Sequence, residues 1–441
     1  MTSPPSRRLH LSVFIRNIGQ HEAAWRAEGT QPADITRFEH YRNLALTAER
    51  GKLDAIFFAD HPVLKERTED RPWDTLDPLT LIAALAGVTS RVGLVATAST
   101  TYNDPYSVAR RFATLDHVSN GRAGWNAVTT VNARVAANYG RDEHPDPSRR
   151  YARAHEFMRA TFGLWDSWAP DAIVADKAGG VYARPDRIRA IEHVGEHLRV
   201  AGPLEVPRSP QGRPVIFQAG SSETGKTFAA LYADVVFSAQ PQIDGARAFR
   251  SDILERARAA GRDPAGVRVM PGLSFFIGGT EREALEKQAE LDALTLPSYG
   301  LSELHRITGT DFAGHGLDQP VKVPARAAGT GHLQSRHDLL HEITHAETLT
   351  LRQLLHRLGS GRGHQSVAGT PEQVADTIAQ WFGTGAADGF NLIPPLLPAS
   401  LTAFVDEVLP LLRRRGLFRE DYEGRTLRDH LQLPQPSSVW S

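Results

Sequence analysis

The chain has 441 residues, with 50 basic and 51 acidic side chains for a net charge of −1, and no cysteine. The missing thiols exclude disulfides, thiolate metal sites, iron–sulfur clusters and a cysteine nucleophile. Balanced charge gives no electrostatic footprint for nucleic acid, and no apolar run reaches the ~18 residues of a membrane span, nor does Met1–Gln20 carry a cleavable leader pattern. A soluble cytoplasmic protein with a small-molecule partner is the expectation.

Short apolar runs alternate along the chain with segments of helical period. The first run is Leu9–Ile15, followed by a helix over Arg37–Arg50 that Gly51 stops, and then by Leu53–Ala59. Asp77-Pro78 opens a second helix, Val92–Ala98 is the third strand, and Asp104-Pro105 opens a helix to Ser119. Asn120-Gly121 turns the chain into Ala123–Val128. Later strands fall at Pro214–Ala219, Ala233–Ser238, Arg268–Ile277 and Gly389–Ile393. Near-continuous apolar strands, each followed by helix, are the pattern of a parallel sheet covered by helices. Eight such units point to an α/β (β/α)8 TIM barrel rather than an open doubly wound sheet.

Two intervals are too long for a simple crossover, 129–213 after the fourth strand and 279–388 after the seventh. They read as insertions of one domain spanning 1–441, and as roofs over the C-terminal ends of the strands. The residues after Leu431 read as a surface-hugging or frayed end.

Four groups of residues carry chemistry. Gly220-Ser221-Ser222-Glu223-Thr224-Gly225-Lys226-Thr227 matches GxxxxGK[ST], follows a strand and opens a helix. Glycines that let the backbone approach, helix-terminal amides and the Ser221 and Ser222 hydroxyls together make a phosphate site. A nucleotide-binding P-loop is the alternative, but the next strand ends in Ser238 and carries no acidic residue at that end to hold Mg²⁺. His341-Glu342-Ile343-Thr344-His345 spells H-E-x-x-H, yet it has no third ligand at suitable spacing and lies inside an insertion, so it reads as a solvated helix with no metal. At the C-terminal ends of strands stand Asp60, Thr97, Ser99, Trp125 and Asn126, short polar groups suited to the amide edges of a planar heterocycle. His144 and Arg149-Arg150-Tyr151 form a basic and aromatic cluster at the start of a helix over Tyr151–Trp168.

Several strings together carry a family resemblance: His21-Glu22-Ala23-Ala24-Trp25-Arg26, Phe58-Ala59-Asp60, Thr97-Ala98-Ser99-Thr100-Thr101-Tyr102, Gly121-Arg122-Ala123-Gly124-Trp125-Asn126-Ala127-Val128-Thr129, Gln218-Ala219-Gly220-Ser221-Ser222 and Ala387-Asp388-Gly389-Phe390-Asn391. The chain resembles the flavin-dependent monooxygenases of the nitrilotriacetate and dibenzothiophene-sulfone type, within the bacterial luciferase-like superfamily. The resemblance implies a barrel that binds reduced FMN at the strand C-termini. It also implies that O2 is the co-substrate, with one oxygen atom passing through a flavin 4a-hydroperoxide to an amine, sulfone or related compound. Asp60, Thr97 and Asn126 would lie near the flavin ring, and His144, Tyr151, Ser221 and Ser222 towards its ribityl-phosphate end. FMNH2 would come from a separate NAD(P)H:flavin reductase, and the assembly would be a homodimer or homotetramer. A deazaflavin-dependent oxidoreductase on the same barrel is the alternative. Gln432 departs from the family, whose members often carry glycine there.

Overall fold

The structure is a computed structural model that describes residues 7–64, 68–73, 76–326, 334–361, 363–436, 438 and 440, without the side chains of 334, 335 and 360. Eight strands form the barrel: β1 (His10–Phe14), β2 (Ala55–Phe58), β3 (Gly93–Ser99), β4 (Ala123–Val128), β5 (Val215–Gln218), β6 (Val235–Ser238), β7 (Arg268–Ile277) and β8 (Gly389–Ile393). Each pairs in parallel with its neighbours in chain order, and β8 returns to β1 with His10 opposite Gly389, so no barrel edge is left open. All eight expected strands are present. Their runs are apolar on both faces because one side meets the helical ring and the other meets the barrel interior.

The interior is filled from the bottom up. Ala55, Val95, Val215, Val235 and Met270 pack against Leu427, Leu431 and Leu433, which rise from below as a plug. Above them lie the rings of Phe14, Phe57, Phe217 and Phe237, with centroids 5.2–6.3 Å apart. Of the described residues after Leu431, Leu433 is therefore anchored in the barrel and Trp440 stacks under the Arg189 guanidinium at 3.9 Å. Gln432 sits at φ +50°, in the left-handed region that favours glycine, which accounts for the glycine expected there.

Three helices open alike, with Asp77, Asp104 and Asp146 each accepting backbone amides ahead of a proline at the first helical position. The third begins at Pro147 and ends at Trp165, one turn ahead of the expected Tyr151–Trp168. Because this helix packs between its neighbours as part of the outer ring, it divides the first long interval in two. Residues 129–146 stay at the mouth. After Trp165 the chain has crossed to the N-terminal end of the barrel, where Gln211 bonds Asp116 (2.6 Å) and the Ala123 carbonyl (3.0 Å). The hairpin Ile173–Asp176/Val181–Ala183 is largely exposed, and the hairpin His193–Val194/Arg199–Val200 lies against the middle of the helix Pro147–Trp165, where Glu156 accepts the His197 amide (2.7 Å), which corrects the expectation that this whole interval forms a roof. The second interval does stand over the mouth. β7 runs past the barrel to pair Leu273–Ile277 with an added parallel strand, Gln365–Gly369, and the helices Pro297–Thr308, Gln334–Ala346 and Leu351–Ser360 pack as a separate apolar cluster.

At the N-terminal face a charged knot is buried. Asp54 accepts the Leu11 amide (2.6 Å) and an ion pair from Arg419, and lies 3.4 Å from His10 Nδ1. His430 is 2% exposed beside the Tyr422 ring, and burial pushes its imidazole down to about 4. Burial lowers His10 in the same direction. The unfolded chain takes up protons near pH 6.5 that these folded rings refuse, so stability must fall as pH drops from about 6.5 towards 4, by at most ~1.4 kcal/mol per pH unit for each ring. Urea unfolding at pH 7 and pH 5 checks this, and His430→Phe should flatten the dependence.

Candidate active site

The polar residues expected at the barrel mouth occupy the β2–β5 side. Strand register places Thr97 directly opposite Asn126. The Thr97 hydroxyl donates to the Phe58 carbonyl (2.8 Å) and accepts from Asn126 Nδ2 (2.8 Å), so the side chain of Asn126 is held in one orientation. Asn126 Oδ1 is buried without a hydrogen-bond partner, an acceptor waiting for an external N–H or O–H donor. Asp60 lies half-buried just beyond β2. After burial, its charge is the next cause holding the Tyr139 phenol above its usual value, which brings the 129–146 segment to the same edge. Trp125 does not join this set. Alternation on β4 turns it outward into Phe112, Phe157 and Trp165, with its indole donating to the Ala98 carbonyl at 3.0 Å.

His144 hangs over the mouth from the segment after β4. Arg150 donates to its Nε2 at 3.0 Å, and its Nδ1 meets the Tyr102 hydroxyl at 2.6 Å. A guanidinium only donates, so Nε2 carries the lone pair and Nδ1 carries the proton. Burial, Arg150 and Arg141 hold His144 below the usual imidazole range, which keeps it neutral at pH 7. With Nδ1–H directed at its oxygen, Tyr102 retains its own proton for a ligand. Arg150 belongs to the basic and aromatic cluster expected with His144, whereas Tyr102 is not among the expected site residues. Tyrosine after a strand end has no distinguishing sequence signal until its partner histidine is known.

Tyr151, one residue after Arg150, meets Phe228 edge-on at 5.9 Å and so joins the helix Pro147–Trp165 to the helix Glu223–Tyr232. Ser222 caps the second helix, its hydroxyl accepting the Gly225 amide at 3.1 Å while its own O–H stays available. The amides of Glu223 and Thr224 in the first turn have no acceptor within the helix. Gly220 and Gly225 lie so close that a Cβ on either would come within 3.2 Å of the other. Lys226 turns away from this helix start, with Nζ bound to Asp252 (2.6 Å) and Glu223 (2.5 Å). In a nucleotide P-loop that lysine must reach the phosphates, whereas here two carboxylates hold it. The HExxH helix likewise has another use. His341 Nδ1 bonds the Val323 carbonyl and His345 Nδ1 the His341 carbonyl, both at 2.8 Å, and no metal-ligand cluster occurs among the described residues.

The closed parallel barrel is that of the luciferase-like monooxygenase class, and the model of that family matches residues 17–388. The chain belongs to this family and is a monooxygenase. It is 43% identical to N-acetyl-S-(2-succino)cysteine monooxygenase of Bacillus subtilis, with 99% of each chain covered. To nitrilotriacetate monooxygenase component A of Aminobacter aminovorans it is 44% identical, over 98% of each. The solved EDTA monooxygenase of Chelativorans sp. superposes with a TM-score of 0.80 at 35% identity, covering 97% of this chain and 99% of that one. No helix among the described residues is long and apolar enough to cross a membrane.

Thr97→Val should leave the Asn126 amide without an acceptor and lower stability by ~1–3 kcal/mol in urea unfolding, whereas Thr97→Ser should cost less. Lys226→Ala, which touches only a surface ion-pair network, should cost no more than ~1 kcal/mol.

Proposed function

We propose that the chain is the oxygenase of a two-component system, taking FMNH2 from a separate NAD(P)H:flavin reductase and placing one atom of O2 on a small organic heteroatom compound. The observation that carries this reading is a buried acceptor without a partner on β4, Asn126 Oδ1, at the end of the barrel where the Ser222-capped helix opens after β5. The relatives support it. Two named oxygenases act on N-acetyl-S-(2-succino)cysteine and nitrilotriacetate, and the name "component A" denotes a partner component. Cytoplasmic location, a single domain over 1–441 and a homodimer or homotetramer complete the proposal.

Bound reduced FMN would supply the electrons that activate O2. The chain's own residues fit such a group. Ser221, the Ser222 O–H and the Glu223 and Thr224 amides would take the phosphate at a helix N-terminus, where the dipole favours an anion. Tyr151 would border that end. Asn126 Oδ1 would accept from a ring N–H, with Thr97 acting through Asn126 as its positioning residue, and Asp60 would close the opposite edge. Neutral His144 would hold the Tyr102 hydroxyl towards the ligand without placing a second positive charge beside Arg150. The helices of the second interval would exclude water, which matters because reaction with solvent competes with oxygen transfer.

Ser221→Ala should raise the dissociation constant for FMNH2 about 5- to 20-fold, the loss of one or two charge-assisted hydrogen bonds, while Lys226→Ala should leave it within about twofold. Anaerobic fluorescence titration measures both. Oxygen-dependent product from an amine or thioether panel, run with a flavin reductase and NADH, tests the reaction. Absence of saturable FMNH2 binding overturns the reading. Hydride transfer from reduced deazaflavin without O2 consumption would assign the chain to that chemistry instead.

A further inference from the structure

Beside the mouth, where the chain leaves β3, the structure holds an open cavity of about 340 Å³, at the small end of the range for metabolite sites. Three segments wall it. The start of the helix Pro105–Val118 contributes Asp104, Ser107 and Arg111, the helix Pro147–Trp165 contributes Arg153, and the segment after β4 contributes Tyr139 and Arg141. Tyr102 and Asn103 complete the wall. The cavity lies apart from the Ser222-capped helix. Tyr151 and Arg153 are two residues apart on a helix of about 3.6 residues per turn, so they point to opposite faces. Tyr151 meets Phe228 of the Ser222-capped helix, whereas Arg153 donates to the Thr100 carbonyl and to that of Asn103 (3.0 Å).

Three guanidiniums thus converge on one space from three segments. Among the described residues no carboxylate comes within ion-pair distance of any of them. Arg141 lies instead over the Tyr102 ring at 5.3 Å. The nearby carboxylates are engaged elsewhere. Glu205 binds the Tyr106 hydroxyl (2.6 Å) and Arg110, and Asp146 binds the Ser148 hydroxyl (2.6 Å) and the Arg149 amide (3.0 Å). Asp104 is the one carboxylate on the wall, and its Oδ1 accepts the Tyr106 and Ser107 amides at 2.9 and 3.1 Å. With three guanidiniums against one carboxylate, the wall carries a net charge of +2 at neutral pH. Elsewhere gathered arginines are neutralised: Arg208 and Arg213 share Asp166, and Arg250 pairs with Asp388. Like charges without a counter-ion repel one another, and an anion in the cavity relieves that repulsion. Donors arriving from three directions suit a tetrahedral, multiply charged oxyanion, whereas a carboxylate presents one flat edge.

We propose that this cavity binds a phosphate-type dianion, either free phosphate or the phosphoryl end of a small metabolite, with Arg111, Arg141 and Arg153 as its ligands. Arg153 is pre-set by its two carbonyl bonds. The guanidiniums of Arg111 and Arg141 make no hydrogen bond among the described residues, so they can turn onto the oxygens without breaking one. Asp104 weakens the attraction without cancelling it. Tyr102 is the partition between this cavity and the mouth, with its ring beside Tyr139 (centroids 5.0 Å) and its hydroxyl on His144. The site is therefore separate from the one proposed for reduced FMN and does not rest on the oxygenase reading.

Isothermal titration calorimetry of the full-length chain, in phosphate-free buffer at fixed ionic strength, tests the site with inorganic phosphate and with glycerol phosphate. At least one of them should bind saturably and more tightly than about 1 mM, and the tighter one identifies the source. Arg111→Gln and Arg141→Gln should each weaken binding about tenfold or more, the loss of a charge-assisted contact. Asp104→Asn keeps the helix cap, since asparagine caps as well as aspartate, and removes the opposing charge. It should tighten binding about threefold or more, a gain that misfolding cannot produce. Ser221→Ala, which strips a donor from the other phosphate site, should change this binding less than about twofold. No saturable binding of either probe overturns the site, as does binding that survives both arginine substitutions or weakens in Asp104→Asn. Binding that Ser221→Ala abolishes places the anion at the Ser222-capped helix and overturns the site as well. None of these outcomes touches the oxygenase reading, which the FMNH2 titration decides by itself.

Discussion

An eight-stranded parallel barrel has room inside for side chains and nothing more. That limit governs everything above and below it. Leucines from the C-terminal segment fill the lower layer, four phenylalanines fill the middle, and the inner wall carries polar groups midway along β1 and β8, where Ser12 donates to Asn391 (3.1 Å), and again at Thr97 and Asn126. No ligand fits between the strands, so whatever binds must lie across the upper rim and be held by the strand ends and the segments that leave them. The register of β3 against β4, which sets Thr97 beside Asn126, is one consequence: the last inward-facing layer is polar and already hydrogen-bonded internally.

The strands were legible because both of their faces are buried, which leaves an apolar run that no surface segment imitates. The same reasoning missed the short strands at Ile173–Asp176 and Val181–Ala183, which are largely exposed and so carry no such run. It also placed one helix start late, although Asp146-Pro147 repeats the signal that opened two earlier helices correctly. The roof was over-assigned for a topological reason. A helix following a barrel strand carries the chain to the opposite end, so only the part of an interval that precedes the helix can cover the mouth.

At the site, residue types were readable but partners were not. Thr97 and Asn126 are bonded to each other, Tyr102 and Arg150 hold His144, and Tyr151 meets the helix that Ser222 caps, while Trp125 faces outward by strand parity. The neutral tautomer of His144 depends on Arg150 and Tyr102, contacts that span 6 and 42 residues and leave no local pattern. Lys226 is the opposite case. Its spacing matched a phosphate-binding lysine, but an aspartate on the next helix captures it, and spacing alone holds no information about Asp252.

The plug beneath the barrel has a temporal side. The first strand finds its second partner only at Gly389–Leu392, and the lower interior is sealed by Leu427, Leu431 and Leu433. During synthesis the early strands are made long before either is available, with one edge unpaired and the inner face of β2 uncovered. Contacts this distant in sequence form slowly, and unpaired strand edges invite association with other chains. A nascent chain of this protein is therefore most exposed to chaperones and to aggregation in the interval just before its last fifty or so residues emerge.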